Sequence, residues 1–189
     1  MKQLKLKITG TTPLMLNNPQ TVNPFNEYSK LLKPLTSKRT KTEEDLMEIS
    51  RIKFLSCLYV NNGAYVIPSC HFENSVINAA KERKLGKKFE RSFHIFNDCP
   101  LDFKDKNKSP EQLYEIGKYV DIRAVGIKNV KITTTRAIIS EWGSMIDCYY
   151  DETQLDEKEV IEIFDIAGLR YGVGTYRRMY GHFKVEEIK

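Results

Sequence analysis

Between Gly168 and Gly181 the sequence reads GLRYGVGTYRRMYG, with four glycines, three arginines and three tyrosines in fourteen residues. Each of these types has a use beside an anionic, ring-bearing ligand. The planar guanidinium of arginine matches a phosphate, and a tyrosine ring offers a base a face to stack on. Glycine permits positive φ and close backbone approach, and successive amides in such a loop form an anion-binding nest. The combination points to single-stranded nucleic acid. Arg170, Arg177 and Arg178 are the candidates for phosphate contact, and Tyr171, Tyr176 and Tyr180 for stacking or packing. Gly172 and Gly174 would let the strand come close. A plainer reading stays open, in which the glycines only allow a tight crossover and Tyr171 and Tyr176 belong to the core.

Other cations could lengthen this surface. Lys38, Arg39 and Lys41 form one group, and Lys84, Lys87, Lys88 and Arg91 another. Taken separately, the first group also fits a polar loop and the second the solvated C-terminal end of a helix, where the dipole favours cations. The net charge is only +5, but acidic residues gather elsewhere, at 43–48, 147–162 and 186–187. Such segregation lets a modestly basic chain carry a basic face.

Catalytic patterns are missing. His71, His94 and His182 are far apart, with no two-histidine metal spacing. Gly172-x-Gly174 lacks the third glycine of a dinucleotide loop, since Arg177 stands there, and it follows a helical pattern rather than a strand. Glu141, Asp147 and Asp151 could gather around a cation, or simply line a solvated strand edge. The expectation is binding without catalysis, cofactor or metal. Cys57, Cys70, Cys99 and Cys148 lack zinc-site spacing and read as buried thiols. No apolar run approaches the roughly 20 residues that cross a bilayer, and the N-terminus has no signal-peptide core. A cytoplasmic protein with no membrane contact is expected (host cytoplasm if phage-encoded).

The elements that must position the loop follow from periodicity. Leu4, Leu6 and Ile8 alternate with Lys5 and Lys7, a half-buried strand. Residues 17–41, with three prolines, read as an extended arm or loop with one helical turn near Tyr28–Leu32. Thr42 opens a helix through a capping box with Asp45, with Leu46, Ile49, Ile52 and Leu55 as its apolar stripe. A short strand at Ala64–Ile67 precedes a helix capped by Ser69 and ended at Gly86. Phe93–Phe96 and Pro100–Phe103 read as strands, and 104–111 as a polar loop. The β-branched run 125–139 is expected to turn near Ser140–Gly143 and pair with 142–150. A helix from Asp156 to Gly168 and a last strand with Phe183 and Val185 inward complete the chain. The order predicts one α+β domain over 1–189. Its core is ferredoxin-like or RNA-recognition-type, an antiparallel sheet with helices on one face and the long arm after the first strand.

In that setting GVGTYRRMYGHF (172–183), joining a last helix to a last strand, resembles the glycine-rich loop of the RAMP superfamily, the RNA-recognition-fold proteins of CRISPR effector complexes. KITGTTPLML (7–16) resembles that family's first strand and the segment after it, and VIPS (66–69) its step into a helix, with Ser69 where glycine is usual. The layout is also similar to proteins of bacteriophage early regions. The resemblance implies a protein that coats single-stranded DNA or RNA as a homo-oligomer or filament, by binding and not cleavage. Two alternatives stay beside it. One is a phage factor that binds or mimics a host CRISPR subunit or another host defence protein; the other is a metal-dependent ribonuclease.

Overall fold

The computed structural model describes residues 1–127 and 130–188. In chain order the first elements are β1 (Lys2–Gly10), β2 (Leu14–Leu16), a 3-10 turn (Pro19–Val22), α1 (Glu27–Thr36) and α2 (Glu43–Cys57). Next come β3 (Val60–Asn61), β4 (Ala64–Ile67), α3 (Ser69–Glu82), α4 (Gly86–Ser92), β5 (Phe93–His94) and β6 (Cys99–Asp102). Then follow α5 (Pro110–Ile116), β7 (Val120–Ile127), β8 (Val130–Ile139), β9 (Gly143–Tyr150), α6 (Glu157–Ile166), a π-helical turn (Ala167–Tyr171) and β10 (Phe183–Glu187). These elements form two compact units. The first takes Met1–Met15, Tyr59–Lys106 and Ile139–Lys189; the second takes Leu16–Leu58 and Asn107–Ile138.

The alternation in β1 organises the first unit. Leu4, Leu6 and Ile8 are buried while Lys5 and Lys7 face out. β9 pairs antiparallel along one edge of β1 and β10 along the other, giving the order β10-β1-β9-β6-β4-β3, with β5 also on β9. Helices cover the buried face. Phe72 of α3 meets Phe183 of β10 at 5.6 Å, and Phe93 packs on Phe89 of α4 and Phe164 of α6 at 5.8 and 5.7 Å. The opposite face presents Lys5, Lys7, Met145 and Asp147. The fold class is the expected α+β one, an antiparallel sheet with helices on one face.

The second unit holds α1, α2 and α5 and the β7–β8 hairpin, paired from Val120↔Ala137 to Ile127↔Val130. Ser50 of α2 and Thr135 of β8 share a hydroxyl hydrogen bond at 2.8 Å, and Phe54 lies against Tyr114 of α5 at 5.5 Å. The expected hairpin at Ser140–Gly143 does not form. β8 pairs with β7, and β9 with β1, β5 and β6. Strand propensity located the strands but not their partners, which depend on which faces are buried. Lys128 and Asn129, inside the run expected as one strand, lie outside the described residues.

Other local expectations change for local reasons. The arm at 17–41 is largely ordered structure, because Asn18 caps the 3-10 turn and Asn26 caps α1. α1 carries Tyr28, Leu31, Leu32 and Leu35 at helical spacing and extends the one turn expected there, across Pro34, a residue that in the sequence argues against a helix. The polar loop 104–111 runs into α5, opened by a capping box between Ser109 and Gln112 with Pro110 at the first position. Gly86 does not end α3; Lys84 takes the left-handed position there (φ 61°) and Gly86 begins α4. Ser69 makes no cap, and Asp98 accepts its N–H instead at 3.2 Å. Cys70 is exposed, whereas Cys57, Cys99 and Cys148 are buried and burial pushes their thiols up to about 11, 12 and 12.

The start of α2 matches expectation bond for bond. Thr42 Oγ1 accepts the Asp45 N–H at 3.2 Å, and Asp45 Oδ2 accepts the Thr42 N–H at 3.1 Å. Replacing Thr42 with alanine is expected to destabilise the protein by about 1 kcal/mol, read by urea denaturation. An unchanged midpoint would show that the box contributes nothing.

Candidate nucleic-acid interface

The glycine-rich segment is seamed by its backbone to the residues that follow β1. The π-helical turn closes with Gly172 N–H on Ala167 O at 2.9 Å. Val173, fully buried, then donates to Gly181 O at 2.9 Å, Gly181 to Pro13 O at 2.8 Å, and Thr175 to Met15 O at 2.8 Å. His182 extends the seam: its carbonyl accepts Thr11 N–H at 2.8 Å, its own N–H reaches Thr12 Oγ1 at 3.0 Å, and Nδ1 donates to Gly168 O at 3.1 Å. Two glycines make this closeness workable. Gly174 has φ 79°, and a Cβ there would lie 2.5 Å from Met15 O; Gly181 has φ 74°, and its Cβ would lie 1.9 Å from Val173 O. A side chain at either place meets rigid backbone.

On this base residues 176–180 form a tight crown, with Met179 and Tyr180 N–H groups returning to Tyr176 O at 2.9 and 3.2 Å. Tyr176 is in the left-handed region at φ 51°, an uncommon conformation for a tyrosine, held here by the seam on both sides. Arg177, Arg178 and Met179 project into solvent, Tyr176 is exposed and Tyr180 half-buried. Neither Arg177 nor Arg178 forms an ion pair with any described residue. Burial first, and then the charge of Arg177, hold the His71 imidazole below its ordinary range, so His71 is neutral at pH 7.

Arg170 and Tyr171 behave differently from the crown. The Arg170 guanidinium and the Tyr171 hydroxyl both bind the Glu82 carboxylate at the end of α3, the latter at 2.7 Å. The Tyr171 hydrogen bond, ahead of the Arg170 charge, holds Glu82 below the usual carboxylate range. This clamp fixes the π-helical turn to α3 and compensates the arginine. Gly172 and Gly174 are packing positions, as the plainer reading of the loop had it for the glycines, while Arg177 and Arg178 remain exposed.

The lysine group at the α3–α4 corner is in the same unit. Lys84, Lys87 and Arg91 are exposed, while Lys88 is paired with Glu159 of α6 at 3.3 Å. Lys38, Arg39 and Lys41 belong to the second unit, before α2. Lys38 is bound to Asp45 at 2.6 Å and Lys41 Nζ to Lys38 O at 2.8 Å, which leaves Arg39 as the exposed, unpaired cation of that group among the described residues.

One feature of the first unit had no sequence signal. Phe96, 63% exposed in the loop after β5, stacks on His94 at 5.5 Å and leans on Tyr149 of β9 at 5.2 Å. His94 and Tyr149 are cross-strand partners, so three rings form one surface platform at the sheet edge. Only the β5–β9 pairing assembles it from residues more than fifty apart. Among the described residues no three His, Cys, Asp or Glu side chains gather as a metal set, and no helix is long and apolar enough to cross a membrane.

Two outcomes follow from this geometry. Gly181→Ala is expected to lower stability by roughly 2 kcal/mol or more, read by thermal unfolding, because neither its φ nor its space admits a Cβ. Removing the acidic half of the clamp with Glu82→Gln should tighten binding of a labelled single-stranded oligonucleotide at low salt, while Arg170→Ala, which uncovers the Glu82 carboxylate, should weaken it by a similarly modest factor. A large loss of affinity with Arg170→Ala would mean that Arg170 leaves Glu82 for the ligand.

No family model and no curated protein matches the chain. Among solved structures, a chain of the type III-B Cmr-beta complex bound to cognate target RNA, determined by cryo-EM, is similar over the whole of this chain, with 14% identity and a TM-score of 0.51. The protein spans 61% of the length of that chain. At this identity the likeness is one of fold: the α+β arrangement with antiparallel sheets is shared with a chain of an RNA-bound complex.

Proposed function

We propose that the protein binds single-stranded nucleic acid through the crown Tyr176–Tyr180, without cleaving it, and that successive copies line up along the strand. The observation that carries this reading is the pair Arg177 and Arg178, exposed on a backbone held rigid by the seam and without acidic partners among the described residues. Arginines held this way lose little freedom on meeting phosphates, and their charge is available to displace counterions. Lys84, Lys87 and Arg91 supply further positive charge in the same unit. The ring platform of His94, Phe96 and Tyr149 supplies a face on which a base can stack. The shared fold with a chain of an RNA-bound complex supports the same ligand class.

Fluorescence anisotropy with labelled oligonucleotides across a salt series tests the proposal. The Arg177→Ala/Arg178→Ala double variant is expected to weaken binding on the order of 100-fold at low salt, and to flatten the log–log salt slope by about 1.4, near 0.7 per phosphate lost. Phe96→Ala should cost about 1–3 kcal/mol of binding while leaving the salt slope unchanged, since stacking releases no counterions. Absence of binding by the wild type at low salt overturns the reading. Labelled RNA incubated with the protein and magnesium or manganese should remain intact; metal-dependent cleavage would replace binding with a nuclease.

A further inference from the structure

The second unit exposes two apolar surfaces that suit each other. Val22 and Phe25 are 81% and 80% exposed, the two most exposed large hydrophobic side chains among the described residues of the unit. They stand on a turn braced from several sides. Asn18 Oδ1 accepts Gln20 N–H, Asn23 Oδ1 accepts Phe25 N–H at 3.0 Å, Gln20 Nε2 donates to Ser56 O at 2.8 Å, and Ser29 Oγ donates to Thr21 O at 2.9 Å. A flexible loop would hide such side chains by collapse; this one holds them out as a knob.

The same unit has a groove of about 700 Å³ between α2 and the β7–β8 hairpin. Leu46 and Met47 of α2 and Ile122 of β7 line it, each more than half exposed, with Tyr114 behind them. Leu46 was expected in the apolar stripe of α2, and its place on the groove wall instead leaves α2 with apolar residues on a second side. An apolar concavity ringed by such residues marks an interaction site. Lys41, Lys53 and Glu43 also line it, two cations against one carboxylate. The knob carries the opposite sign, since Glu27 follows Phe25 by two residues at the exposed start of α1. Phe25 and Val22 do not line their own chain's groove, and a second copy would bring the two surfaces together.

We infer that the chain self-associates by seating the Val22–Phe25 knob of one copy in the Leu46–Met47–Ile122 groove of the next, with Glu27 against the Lys41/Lys53 rim. Association of this kind is directional, with unlike surfaces meeting. It deepens the proposal that copies line up along a strand by naming their contact, and it rests on that reading only for its use. The contact itself requires no nucleic acid.

Complementation in sedimentation velocity, without nucleic acid, tests the contact separately from strand binding. The wild-type protein is expected to gain mass as its concentration rises. Phe25→Asp, which spoils the knob, and Ile122→Asp, which spoils the groove, should each remain monomeric while keeping the wild-type circular dichroism spectrum. Mixed in equal amounts they should form a one-to-one dimer, because one still has an intact groove and the other an intact knob. Leu46→Lys replaces Ile122→Asp if the latter fails to fold. Phe25→Ala should weaken wild-type association by on the order of tenfold or more. The inference is overturned by a wild type that stays monomeric at every concentration, by single variants that assemble as the wild type does, or by a mixture that fails to dimerise. A monomeric wild type whose groove takes up an apolar dye, with loss of that uptake in Ile122→Asp, would assign the groove to a small apolar ligand instead. Strand binding that persists in a monomeric wild type would leave the crown's role standing and remove only this contact.

Discussion

Three main-chain hydrogen bonds, Val173 to Gly181, Gly181 to Pro13 and Thr175 to Met15, hold the glycine-rich end of the first unit together. None involves a side chain, so the seam dictates which residues may stand there more than it depends on them. It demands glycine at 174 and 181, where backbone meets backbone too closely for a Cβ. It also fixes the ends of the crown, so that Tyr176 through Tyr180 turn tightly and Arg177 and Arg178 have nowhere to lie but outward. A loop rich in glycine is often taken as loose; here the glycines are what make it stiff.

The charges around that loop divide into two kinds. Arg170 with Glu82, Lys88 with Glu159 and Lys38 with Asp45 are compensated and tie one element to another. The exposed pair, Arg170 with Glu82, contributes little stability and acts chiefly on orientation and on the local field, whereas Lys38 meets a buried Asp45. Arg177, Arg178, Lys84, Lys87 and Arg91 have no such partners among the described residues. A modest net charge is therefore a poor guide to the surface, because pairing removes some cations from use and leaves others at full strength.

Much of this was legible in the chain because some interactions are local. The alternation of Leu4, Leu6 and Ile8 announced β1, and Thr42 with Asp45 announced α2, since period and capping act over a few residues. The glycine-rich segment could be recognised as special by composition alone. Which of its members packs and which projects could not, because the answer lies in Met15 and Pro13, more than 150 residues away. The same holds for the partner of β9, for Glu82 taking Arg170, and for the platform of His94, Phe96 and Tyr149. α1 was legible only as one turn near Tyr28–Leu32, because Pro34 argues against a longer helix and Asn26 among several asparagines does not stand out as its cap.

The seam also has a consequence in time. It joins residues 13–15 to residues 173–181, and β1 can acquire β9 and β10 only after nearly the whole sheet has been made. Contacts that bridge such a span close late and slowly, both on a ribosome and in refolding. Until β9 and β10 have been made, the first strand waits without either neighbour. A nascent chain therefore passes through a stage at which its first strand is complete while both of its edges stand open.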